Sequence, residues 1–228
     1  MYKMIKISLI ASLSISSAYS SEAASINDMF KNGKVSGQIR LGYMDISAAE
    51  AGVKDTSATA LGGQLKFETA TFNGVSLGAA AYTSHSIMAL SGDQAQGKFS
   101  DELSSSEKHY TEMAEAYVNL NYNGFNFRAG RQVLDTPLAD GDDIRMTPNT
   151  FEAYVASYTI DDLGLTLIAA NVQRWQGYDS GYVNVTNNRW TDTGVDGTWM
   201  AAALYANDSI ELGAWYYDVT KTAKAVYA

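Results

Sequence analysis

From Lys34 onward the chain alternates apolar and polar positions. Val35, Gly37, Ile39, Leu41 and Tyr43 share one parity, and Lys34, Ser36, Gln38, Arg40 and Gly42 the other. A second run repeats this, with Leu61, Gly63, Leu65 and Phe67 set against Gln64, Lys66 and Glu68. A period of two is that of a β-strand with one apolar and one polar face. The same reading predicts strands over 75–84, 112–122, 125–133, 151–160, 165–174, 198–206 and 210–219, about nine in all. Parity is plain in the first five and lost in the sixth to eighth. There Thr166-Leu167-Ile168-Ala169-Ala170 is apolar on both faces, which a glycine kink, a bulge or contact with an inserted loop would each explain.

Alternation alone does not separate a soluble sandwich from a membrane barrel; the connections do. Thr71-Phe72-Asn73-Gly74, Asn123-Gly124, Asp161-Asp162-Leu163-Gly164 and Asn207-Asp208 are tight turns, with residue types that tolerate the positive φ of hairpins. Between them lie long polar connections at about 47–58, 85–111, 134–150 and 175–197. Short turns at one end and long loops at the other are the pattern of outer-membrane barrels.

The first residues read as an export leader, 1–20. Lys3 and Lys6 precede the short apolar stretch Ile5 to Ile15, and Ala18-Tyr19-Ser20 offers cleavage after Ser20, with Ala23 as the alternative. That stretch is too short to span a bilayer as a helix. Residues 21–33 then predict a short periplasmic helix, capped by Ser25 and stopped by Gly33, that packs Ile26, Met29 and Phe30 at the mouth of the barrel.

Composition narrows the function classes. Two prolines against 19 glycines and 15 tyrosines fit a strand-rich chain. Loss of Lys3 and Lys6 with the leader takes the formal charge from −9 to −11, which disfavours nucleic-acid binding. The absence of cysteine removes thiolate metal sites and thiol nucleophiles, and no nucleotide or zincin motif is present. No cofactor or metal is expected. His85 and His109, the only histidines, bracket one serine-rich loop; a rim hydrolase built on them is the weakest reading.

The segment from Ala129 to Ala153 goes beyond generic patterning. Ala129-Gly130-Arg131-Gln132-Val133-Leu134-Asp135-Thr136-Pro137-Leu138-Ala139, then Asp142-Asp143-Ile144-Arg145-Met146-Thr147-Pro148-Asn149-Thr150-Phe151-Glu152, resembles the OprD-type outer-membrane porins. The likeness is greatest to the branch found as major outer-membrane proteins in epsilonproteobacteria. Gly33 to Tyr43 and Ala214 to Val219 resemble strands of the same family. The resemblance implies an all-β fold, an antiparallel transmembrane β-barrel of about eighteen strands, monomeric or trimeric. It implies a Gram-negative outer membrane as location, with passive diffusion of small hydrophilic solutes and ions past a third loop folded inward. Residues 134–150 occupy that loop position. With about nine strands here, residues 34–228 read as the first half of such a barrel, which is not expected to insert stably without further strands.

Candidate pore residues follow. Arg40, Lys66 and Arg128 lie on the polar parity of their strands. They act either as a positive field for anionic solutes or as wall charges paired with Glu68 and Glu115. Arg131 has the opposite parity to Arg128, which places it at a bulge or at the rim. Asp135, Asp140, Asp142, Asp143 and Arg145 would form the constriction, although Asp and Gly also serve simply as turn formers. A calcium site at Asp140-Gly141-Asp142-Asp143 lacks the closing Glu of the usual ligand loop. Tyr43, Phe67, Tyr82, Tyr122, Phe125, Tyr205 and Trp215 are expected in interfacial girdles. A non-conducting surface protein that binds through loops 85–111 and 175–197 is the alternative function.

Overall fold

A computed structural model of the chain describes residues 22–48, 50, 52–105, 108–177, 180 and 190–228, together with the backbone of 5–16. Cleavage after Ser20 falls outside the described residues. The chain forms one 12-stranded sheet in which every paired strand runs antiparallel to its neighbour. In chain order the strands are β1 (Ile5–Ser16), β2 (Lys34–Ser47), β3 (Thr56–Glu68), β4 (Val75–Ser86), β5 (His109–Tyr122) and β6 (Phe125–Gln132). They continue as β7 (Thr150–Ile160), β8 (Leu165–Gln176), β9 (Thr191–Asp192), β10 (Thr198–Ala206), β11 (Glu211–Val219) and β12 (Ala223–Tyr227). Spatial order follows chain order, except that the short β9 pairs with β8 beside β10.

All nine strands expected from alternation are present, as β2 to β8, β10 and β11. Turn chemistry sets their registers. Asn73 and Gly74 (φ 49° and 81°) and Asn123 and Gly124 (φ 46° and 79°) both take the left-handed conformation. Two consecutive positive φ angles match the twist of a two-residue hairpin, and Asn-Gly reaches them at low cost. Asn207 turns β10 into β11 by a different device: its side chain accepts from the backbone N–H groups of Ser209 and Ile210, both at 2.9 Å.

Residues 5–16, which the sequence reading assigned to an export leader, form β1, in register with β2 from Ile5 opposite Ser47 to Ser16 opposite Ser36. Its sequence explains the pairing, since Ile5, Ile7, Leu9, Leu13 and Ile15 alternate with Lys6, Ser8, Ser12, Ser14 and Ser16. The helix α1 spans Ile26–Lys31, and the Ser25 side chain accepts from the Asp28 N–H at 3.2 Å. Only part of the expected packing occurs. Met29 is buried against Ala23, Ala70, Phe72 and Leu77, while Ile26 and Phe30 point to solvent. A six-residue helix presents a single stripe, and Met29 occupies it.

The two faces of the sheet differ. Val35, Ile39, Leu41, Leu61, Leu65, Val118, Tyr154 and Leu167 are exposed on the outer face. Soluble monomers rarely expose a continuous apolar surface of this kind. Among the described residues no helix is long and apolar enough to cross a membrane; the apolar band belongs to the strands. The opposite, inner face carries Arg40, Lys66, Tyr82, Glu115 and Asn119, and two long loops pack against it.

Candidate functional site

The inner face from β3 to β6 is cross-linked over small residues. Lys66 on β3 and Glu115 on β5 are both in register with Ala80 of the intervening β4. Alanine leaves room for their side chains to meet, at 2.9 Å. The Tyr82 hydroxyl donates to the other Glu115 oxygen at 2.9 Å. Two residues along β4, Gly78 stands between Glu68 and Tyr117, and the Tyr117 hydroxyl donates to Glu68 at 2.5 Å. A Cβ on Gly78 would come within 2.3 Å of the Tyr117 ring, so glycine is what lets this ring cross β4. Arg128 on β6 then stacks over the same ring at 4.4 Å, with its Nε donating to Asn119 at 3.2 Å.

A bulge makes this arrangement possible. The β4–β5 register shifts between Ala80 and Ala81, leaving Ala114 unpaired in β5. Glu112 and Glu115, three residues apart, therefore both face inward, where strict alternation would separate them. Glu112 accepts from the Gln176 amide at the far end of β8.

Both loops at the same end fold onto this face. Arg40 holds the loop 133–149: its two terminal nitrogens bond both oxygens of Asp143 at 2.5 Å, and one of them also reaches the Arg145 carbonyl at 2.9 Å. The Arg40 side chain is 7% exposed against 44% for Asp143, so the wall residue is the buried anchor and the loop carboxylate docks onto it. Bidentate pairing of this kind fixes geometry as well as charge. Arg145 in turn bonds Glu102 at 3.1 Å, and the Tyr110 and Thr147 hydroxyls lie 2.7 Å apart. Under these bonds Leu103 and Met146 pack together with Met44, Ala58 and Ala60. Gly42 completes the fit, since a Cβ there would stand 2.7 Å from the Met146 sulfur.

The expected pore residues thus separate into groups. Arg40, Lys66, Arg128, Asp143 and Arg145 are brought to the inner face. Arg40, Lys66 and Arg145 are each tied to a carboxylate; Arg128 has no carboxylate partner among the described residues. Asp135, Asp140 and Asp142 are exposed on the loop and carry no ion pair among the described residues. No group of three or more His, Cys, Asp or Glu suited to a metal ion occurs among the described residues. Arg131 is on the outer face, 3.7 Å from Glu152 and stacked over Trp190 at 4.9 Å. Glu152 also holds Arg174 at 2.6 Å. Arg131 therefore does not join the inner set.

Two expected girdle aromatics are also inward. Tyr82 is 1% exposed in the Glu115 network, and Trp215 packs against Tyr217 on the inner face of β11. Tyr43, Tyr122, Phe125 and Tyr205 do face outward at strand ends, joined by Tyr158, Trp199 and Tyr216, which the sequence reading left out. It also left out Glu102 and Tyr117, whose partners lie far away in the chain. The one available signal was Gly78 and the alanines of β4, small residues on a face where polar side chains must cross. His85 and His109 stack on each other, ring centroids 5.6 Å apart, as a cross-strand pair on the outer face.

No family model matches the sequence, and no curated protein shows significant similarity to it. Solved structures do match. OccAB1 of Acinetobacter baumannii superposes with a TM-score of 0.68 at 20% identity, over 90% of this chain and 49% of that one. OccK9 (OpdG) of Pseudomonas aeruginosa gives 0.68 at 16% identity over 86% of this chain and 52% of that one. OccK8 (OprE) of the same organism gives 0.66 at 15% over 86% and 48%. These are OprD-family outer-membrane porins. The fold of this chain is that of their antiparallel β-barrels, and it spans about half of their length.

Proposed function

We propose that this chain forms part of the wall and the constriction of a water-filled outer-membrane channel, through which small hydrophilic solutes and ions diffuse passively. The observation that carries this reading is the pair of loops held against a polar inner face by Arg40–Asp143 and Arg145–Glu102, behind an outer face of exposed aliphatic and aromatic residues. A polar interior narrowed by loops admits hydrated solutes, and an apolar exterior suits lipid. The leader would direct export to a Gram-negative outer membrane.

On this reading Arg40 and Lys66 act as clasps more than as free charges, because each has a carboxylate at hydrogen-bond distance. Asp135, Asp140, Asp142 and Arg128 are the charges left to act on a passing solute. The surface-binding alternative is weakened for one of its two loops, since 87–105 is folded inward through Leu103 and Glu102. The test is ion conductance of the full-length barrel that contains these strands, folded and reconstituted in planar bilayers. Stepwise conductance is expected, and its absence from well-folded protein would overturn the proposal.

A further inference from the structure

The inner face changes character past β6. Phe151 and Trp175 stack with centroids 6.4 Å apart, and Trp215 and Tyr217 do so at 6.2 Å. Ala153, Ala170, Val172 and Met200 fill the space between them, and Leu134 of the constriction loop packs on top. Beside this cluster lies a half-open cavity of about 380 Å³, within the range of sites for small organic ligands. Its floor is Phe151, Val172, Trp175, Met200 and Tyr217, and the loop closes one side through Leu138 and Ala139. The charged residues lining it are Asp140, Asp142 and Lys224. Lys224 is held by Asp218 at 3.3 Å, whereas the two loop carboxylates carry no ion pair among the described residues.

We infer that this cavity is a binding station for amphiphilic organic cations, with an aromatic or branched aliphatic group seated against Met200 and Trp175 and an ammonium group held by Asp140 and Asp142. Resting on the channel reading above, the proposal names the solute class that this site retains. Three features point to an occupant of this chemistry. A solvated channel wall gains nothing from two stacked aromatic pairs and a thioether facing inward, whereas an apolar ligand group does. Aromatic faces next to unpaired carboxylates favour a cation over an anion. Finally, the hydroxyl of Tyr217, whose side chain lines the cavity, is buried and has no hydrogen-bond partner among the described residues, an unmet polar group beside the site.

The probe is phenethylammonium, with ethylammonium (same charge, no ring) and phenylacetate (same ring, opposite charge) as controls. Two readouts are used on the folded full-length barrel that contains this chain: block of single-channel current, and tryptophan fluorescence in detergent, which needs no conduction. Saturable binding of phenethylammonium is expected about ten-fold tighter than of either control. Asp142→Asn together with Asp140→Asn should weaken it about ten-fold, and Ala139→Phe, which fills the cavity from the loop side, should abolish it. Equal binding of ethylammonium or phenylacetate overturns the proposal, and so does undiminished binding in Ala139→Phe. If that variant fails to fold, the Asp pair decides on its own. Saturable fluorescence without conductance would keep the binding station and overturn the channel; conductance without saturable binding would do the reverse.

Discussion

From β3 to β6 the inner face is held together by charge and hydrogen bonds; from β7 to β11 it is held by apolar packing. The first half places Lys66, Glu68, Glu115, Tyr82 and Tyr117 in contact across Ala80 and Gly78. The second sets Phe151, Met200, Trp215 and Tyr217 around alanines. Both halves use the same device, small residues that leave space for large neighbours, with different chemistry in the space. The difference bears on tolerance to change. A buried ion pair that loses one member leaves an uncompensated charge, whereas an apolar cluster accepts another side chain of similar volume.

Lys66→Met should therefore have the largest effect, lowering stability by about 3–5 kcal/mol because Glu115 is left buried without its cation. Urea unfolding in detergent reads it, and the double variant Lys66→Met with Glu115→Gln should recover most of the loss. A loss below about 1 kcal/mol would return Lys66 to the role of a free wall charge. In the apolar half, Met200→Ala should cost about 2–5 kcal/mol by opening a void, but Met200→Leu less than about 1.5 kcal/mol. Equal penalties for Met200→Leu and Lys66→Met would erase the contrast between the halves.

Arg40→Ala comes next. It removes charge-assisted bonds of about 1.5–3 kcal/mol from the docking of the constriction loop, which shifts the docked-to-released ratio about ten-fold or more. Single-channel conductance should rise and become noisier; unchanged conductance would mean that Leu103 and Met146 hold the loop without Arg40. Arg128→Gln is the mildest change. Its stacking on Tyr117 contributes about 0.5–1 kcal/mol, so stability should barely move. Reversal potentials in a salt gradient should shift toward cations, and no shift would show that Arg128 lies outside the conducting path.

Legibility in the sequence followed the same division. Strands β2 to β6 could be read because their inner face is polar and their outer face apolar, which is what alternation detects. Strands β7, β8 and β10 lost their parity because the inner face is apolar too: Ala153, Ala170, Val172 and Met200 are buried in a cluster capped by Leu134. Of the three explanations offered for Thr166 to Ala170, loop contact applies, through Leu134 in the cluster that holds Ala170; the register shift at Glu152/Ala153 lies opposite Arg174 and Val172, outside that run. The bulge at Ala114 has no sequence mark, and it alone brings Glu112 and Glu115 to one face. Tyr82 and Trp215 were placed with the girdle aromatics because their position near strand ends was visible and their face was not.

The sequence by itself determined nine of the twelve strands, their tight turns, the long loops at one end and the apolar outer band. Each of these depends on residues within about ten positions of one another, where period and turn chemistry act directly. Only the tertiary structure decided what the charged residues do. Arg40 meets Asp143 across 103 positions, Lys66 meets Glu115 across 49, and Arg145 meets Glu102 across 43. Such pairs arise from register, a bulge and the space over small residues, and a linear pattern of charges carries none of these.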